Sequence, residues 1–125
     1  MRIKTGEAPP LALDWLVAGI EGVLLSQSPL KLQIERYGRL QLRKGGDYSP
    51  TRDCAQGTPI GFRERINISF CVDLREGSRT FVWADMDRRR AHGYSGGHDE
   101  PLIAVMRCWV TSKHGELVDV PEELL

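Results

Sequence analysis

The chain has 125 residues, with 17 Lys+Arg against 17 Asp+Glu and 41% hydrophobic against 27% charged residues. That length and mixture describe one folded domain over residues 1–125 rather than a disordered segment, and the zero net charge excludes the basic excess on which non-specific nucleic-acid binding depends. Asp14 and Glu21 interrupt the longest apolar stretch, so no membrane span of about 20 residues is expected, and Met1-Arg2-Ile3-Lys4 lacks the apolar run of a signal peptide.

Residues 11–25 carry Leu13, Leu16, Val17, Ile20 and Leu24 at helical spacing, behind Pro9-Pro10, which favours a helix start. Gly19 and Gly22 stand where another element would approach closely. In residues 31–44 the period changes to two, Leu32 and Ile34 alternating with polar residues and Leu40 and Leu42 doing the same. This predicts a hairpin with a loop at Tyr37-Gly38-Arg39, which sets Ile34 opposite Leu42. Residues 45–61 show no periodicity and many Gly and Pro, so they read as a long loop of the kind that is usually functional.

Ile66, Ile68, Phe70, Val72 and Leu74 alternate with polar residues, which predicts a strand with one core face. A turn at Glu76-Gly77-Ser78 returns residues 80–86 alongside it, and pairing Val72 with Val82 gives one consistent apolar face. That register leaves Phe81 and Trp83 on the polar face, beside Asp73 and Cys71. A second irregular stretch holds Arg88-Arg89-Arg90, Gly96-Gly97, His92 and His98. Residues 101–114 then form a helix with Leu102, Ile103, Met106, Trp109 and Val110 as its stripe, Pro101 in its first turn and Gly115 as its stop. A short strand at 117–120 follows. The expected fold is α+β: a single small domain, mostly antiparallel sheet, packed against two helices at about 11–25 and 101–114.

Chemistry is sparsely signalled. Asp14 and Glu21 share a helix face, which is expected to be solvated, and Trp15 is read as packing. His92, His98 and Asp99 match no metal-site spacing, and Cys54 has no partner base, so no metal, cofactor or catalytic residue is assigned. No phosphate-loop, dinucleotide or nucleophile-elbow motif occurs. Cys54, Cys71 and Cys108 are odd in number and widely spaced, the pattern of unpaired thiols in a reducing cytoplasm. What remains is a polar loop near exposed aromatics and arginines, a set able to hold a nucleotide-sized anion through stacking, guanidinium forks and open amides. The candidate ligand-binding residues are Tyr48, Ser49, Thr51, Asp53, Gln56, Trp83 and Arg88.

Three stretches carry a resemblance. Ile3-Lys4-Thr5 followed by Leu11-Ala12-Leu13-Asp14-Trp15-Leu16-Val17-Ala18 and Glu21-Gly22 opens the chain. Tyr48-Ser49-Pro50-Thr51-Arg52-Asp53-Cys54-Ala55-Gln56-Gly57-Thr58-Pro59-Ile60 forms its centre. Pro101-Leu102-Ile103-Ala104-Val105-Met106-Arg107-Cys108-Trp109-Val110, with Ser112-Lys113, Gly115 and Val120-Pro121-Glu122-Glu123-Leu124, closes it. Together these resemble the NinX-like small proteins of bacteriophages, over roughly half the chain. The centre departs from that family: Cys54 replaces its usual Trp, Thr58 a second Gly, and Gly61-Phe62 an aliphatic–acidic pair. The family has no established reaction. The resemblance implies an accessory phage or prophage product in the bacterial cytoplasm.

The expected function is therefore non-enzymatic capture of a small nucleotide-like or anionic ligand, in its most specific form a host defence signal. The alternative is an interaction module that docks on a host or phage protein. Neither a membrane nor non-specific nucleic acid is an expected partner, and self-association is left open.

Overall fold

A computed structural model describes residues 1–73, 79–86, 91–95 and 100–125. Among these, four helices and seven short strands follow the order β1 (Arg2–Lys4), α1 (Pro10–Glu21), α2 (Leu30–Tyr37), β2 (Leu40–Gln41), β3 (Asp47–Tyr48), α3 (Cys54–Arg63), β4 (Asn67–Asp73), β5 (Arg79–Met86), β6 (Ala91–Tyr94), α4 (Pro101–His114) and β7 (Leu117–Asp119). All pairings are antiparallel: β1 with β7, β2 with β3, and a three-stranded sheet in the order β4-β5-β6. The fold is α+β.

The centre of the molecule is α4. Ile103 through Val110 are all buried, so this helix is enclosed on both sides rather than along one stripe. One side receives Leu13, Leu16 and Val17 of α1, and the other lies on β5 and β6. Fully burying each such aliphatic side chain contributes roughly 1.5–3 kcal/mol. β6 meets α4 so closely that a Cβ at Gly93 would collide with the main-chain oxygen of Ala104. Even Arg107 is buried within this layer. Its guanidinium donates to Ala8 O at 3.0 Å and Tyr94 O at 2.7 Å, tying the N-terminal segment to the sheet. At the other end, Thr5 Oγ1 donates to Gly115 O at 2.7 Å, beside the β1–β7 pair.

Four sequence-based expectations are corrected. α1 ends at Glu21, four residues early, because Gly22 takes the left-handed conformation and the Val23 amide bonds back to Ala18 O. Among the described residues nothing lies within 4 Å of where a Cβ would stand on Gly19 or Gly22, so neither glycine serves a close approach. The hairpin predicted for 31–44 is instead helix α2 followed by β2. Pro29 precedes its first turn and Gly38, also left-handed, stops it. Leu30 and Ile34, one helical turn apart, pack on the core, and this contact outweighs the short alternating pattern. The predicted loop at 45–61 contains α3, a helix that Gly57, Pro59 and Gly61 disfavour locally. Packing against α4 supplies the difference: Ile60 is buried, and Gly57 and Gly61 lie beside Leu102 and Val105.

The fourth correction concerns the main sheet. Phe70, not Val72, stands opposite Val82, a slip of two residues. Because strand faces repeat every two residues, Phe81 and Trp83 keep their expected face, now opposite Cys71 and Ser69. Val82, Ala84 and Met86 are buried beneath α4 as expected, but β4 runs outside the helix, so Ile68, Phe70 and Val72 on the same face are exposed by 45%, 76% and 56%. The turn at Glu76-Gly77-Ser78, Leu74, the run Arg88-Arg89-Arg90, Gly96-Gly97, His98 and Asp99 lie outside the described residues.

Candidate functional site

The segment from β3 to the start of α3 closes over α1 around one carboxylate. Asp14, expected on a solvated face, is 1% exposed. Its Oδ1 accepts the Thr51 amide at 3.0 Å and its Oδ2 the Ser49 hydroxyl at 3.3 Å. Burial pushes the carboxyl up to about 6, against the opposing pull of the Thr51 amide, the Ser49 hydroxyl and the charge of Arg52. The Thr51 hydroxyl favours the same carboxylate's charge from outside hydrogen-bond geometry and is buried with no hydrogen-bond partner among the described residues. Glu21, two turns further along the same face of α1, accepts both terminal guanidinium nitrogens of Arg63 at 2.7 and 2.8 Å and the Trp109 indole at 3.3 Å. Both carboxylates of α1 thus serve to fasten other elements to it.

Five of the seven residues expected to bind a ligand meet here. Tyr48, Ser49 and Thr51 are buried. Asp53 caps α3, accepting the Ala55 amide at 2.9 Å. Gln56 spans the loop: its Oε1 accepts the Ser49 amide at 2.6 Å and its Nε2 donates to Asp47 O at 2.8 Å. Trp83 stands apart on β5, its ring stacked on His92 with centroids 4.8 Å apart, while Phe81 meets Tyr94 edge-on at 5.2 Å. The loop packs on α1 and α4, so His92, not the loop, covers the indole. Arg88 lies outside the described residues.

Beside this clamp opens a cavity of about 540 Å³ lined by Val23, Leu24, Leu42, Arg43, Lys44, Tyr48 and Gln56. Its volume falls in the range of small-molecule sites. Arg43 and Lys44 project from a tight turn, in which Leu42 N donates to Gly46 O and Gly45 N to Leu42 O. Gly45 and Gly46 both hold φ near 98°, so this turn requires glycine. The Arg43 amide is further anchored on Leu24 O at 3.0 Å. Among the described residues neither Arg43 nor Lys44 is ion-paired and no carboxylate lines the cavity. The Tyr48 phenol is held protonated by its burial and by the charges of Asp14 and Glu21, so it remains a hydrogen-bond donor. A larger apolar groove of about 790 Å³ shares Val23, Leu24 and Arg43 and continues along Trp15, Ile20 and Leu117. Among the described residues no three His, Cys, Asp or Glu are grouped to hold a metal ion.

Residues 5–113 match the family described as Bacteriophage P22, NinX. The chain belongs to that family. No curated protein matches it. The match spans α1, the clamp, the main sheet and nearly all of α4, so the Asp14-centred clamp is part of the NinX-family portion of the chain. No helix among the described residues is long and apolar enough to cross a membrane.

Sequence reasoning placed Tyr48 and Gln56 at the candidate site but missed Arg43, Lys44 and Asp14. The signal for the two cations was available: a basic pair directly before Gly45-Gly46 is a basic pair on a tight turn. The signal for α3 was Asp53 three residues ahead of Gln56, a capping pattern.

Proposed function

We propose that this NinX-family chain is a non-enzymatic phage accessory protein of the bacterial cytoplasm that binds a small nucleotide-like anion, the chemistry of a host defence signal. The observation that carries the reading is the pairing, in one cavity, of an apolar wall from Val23, Leu24, Leu42 and Tyr48 with the uncompensated cations Arg43 and Lys44. A planar base suits the first and a phosphate the second. Tyr48 adds a donor, and the Asp14 and Gln56 hydrogen bonds hold the wall in place.

The test is thermal unfolding and calorimetry with nucleoside mono-, di- and triphosphates and cyclic dinucleotides, each beside its uncharged nucleoside. A ligand present at about 100 times its Kd stabilises the native state by about 2.7 kcal/mol. Arg43→Glu together with Lys44→Glu is expected to abolish that gain while leaving the unliganded midpoint in place, since both side chains are exposed. Absence of stabilisation by every anion, or binding that survives both charge reversals, overturns the reading.

A second reading, docking on a host or phage enzyme, draws its support from the larger groove, whose lips Leu24 and Leu117 are 63% and 49% exposed. Leu117→Asp, at a residue that lines the groove and not the anion cavity, would then remove the interaction and spare anion binding.

A further inference from the structure

The two edges of the main sheet are treated differently. On β6, the carbonyl of Ala91 accepts the Cys108 thiol and that of Tyr94 accepts Arg107, so α4 occupies this edge. On β4, no main-chain hydrogen bond reaches any strand but β5 among the described residues. Natural edges of this kind are usually shortened, bulged, charged or covered, because an open strand templates pairing with another chain. β4 has seven residues, no proline or glycine, and one formal charge, Asp73, at its last position.

Its sequence is also close to self-complementary. Set antiparallel to itself about Phe70, the strand Asn67-Ile68-Ser69-Phe70-Cys71-Val72-Asp73 places Phe70 against Phe70, Ile68 against Val72, Ser69 against Cys71 and Asn67 against Asp73. Every apolar residue meets an apolar residue on one face, polar meets small polar on the other, and no two like charges are opposed. A one-residue slip would put Phe70 against Cys71 and destroy both matches.

We infer that β4 pairs with β4 of a second copy of this chain, joining two three-stranded sheets into one continuous sheet around a twofold axis through Phe70. Such an interface is isologous and closes at two copies. Phe70 exposes 76% of a side chain worth roughly 200 Å², and with Ile68 and Val72 the apolar stripe presents about 300 Å² per protomer. Full cover of both stripes would supply more than half of the roughly 1,000 Å² that a specific interface needs, edge pairing covers part of that, and the paired strand edges, about 24 Å long, add to it. An interface of this size sits at the weak end of specific association, so the dimer is concentration-dependent.

Sedimentation equilibrium on the whole chain, from about 5 to 300 µM, tests it. The wild type is expected to pass from monomer to dimer across this range, with no higher species. Phe70→Lys is expected to raise the dissociation constant at least about tenfold, and because residue 70 is exposed the fold survives, which circular dichroism verifies. Phe62→Lys is the control: Phe62 is 80% exposed but lies on α3 rather than on the strand edge, and it should leave the equilibrium unchanged. Amide exchange of residues 68–72 should slow as concentration rises. A chain monomeric throughout, a dimer that Phe70→Lys leaves intact, or one that Phe62→Lys weakens equally would each overturn the assignment.

Discussion

Replacing Asp14 by Asn tests whether the clamp is built around a carboxylate that the fold would rather see neutral. The folded value of about 6 lies roughly two units above the ordinary 3.8, so the native state binds this proton more tightly than the unfolded chain does. Its contribution to stability is fully present below about pH 3.8, declines as pH rises through about 6, and is absent above. At 1.36 kcal/mol per unit the whole loss is about 3 kcal/mol. Asn is neutral at every pH, and its carbonyl can accept the Thr51 amide while its amide donates to Ser49. Urea unfolding of both proteins at a series of pH values isolates the effect, because every other titrating group is common to the two. The advantage of Asp14→Asn over wild type should widen by about 2 kcal/mol between pH 4 and pH 7.5, on the order of a 1 M shift in midpoint. A difference that stays constant with pH would refute the claim that burial governs this group.

Other outcomes follow from the packing. Met106→Ala, at a fully buried position between α1 and the sheet, should cost roughly 2–5 kcal/mol in denaturant unfolding. Gly93→Ala should lose about 3 kcal/mol or fail to fold, since the new methyl meets main chain of α4 that cannot rotate away, and the same assay reads it. Of the three free thiols, exposed Cys54 should react first with a thiol reagent and partly buried Cys71 more slowly. Cys108, whose burial holds its thiol up at about 12, should react only with unfolding.

The parts of this fold that were legible are those where a single face decides the structure. α4 begins at Pro101 and stops at Gly115 as its capping residues dictate, and α1 starts where Pro9-Pro10 directs. The parts that were not legible depend on partners distant in sequence. α3 is glycine- and proline-rich and holds only because α4 lies against it, and α2 is eight residues whose alternation fits a strand equally well. Asp14 was indistinguishable from a solvated acid because its partners, Ser49 and Thr51, are more than thirty residues away. Arg107 was hidden in the same way, its acceptors being the carbonyls of Ala8 and Tyr94. The apolar residues of β4 misled for the opposite reason, since their alternation is that of a core strand although Ile68, Phe70 and Val72 are exposed.

The packing of α1 on α4 sets a timetable for synthesis. About 80 residues separate Glu21 from Pro101, so at 5–20 residues per second a ribosome takes about 4–16 s to deliver the partner after α1 has been translated. Throughout that interval Leu13, Leu16 and Val17 lack the helix that covers them, and β1 lacks β7 for still longer. A fragment that ends before α4 lacks Ile103 through Val110, on which α1 packs from one side and β5 and β6 from the other, so the core is expected to close only after α4 has emerged. Until α4 emerges, the apolar α1 stripe lacks the helix that buries it and is open to chaperones and proteases.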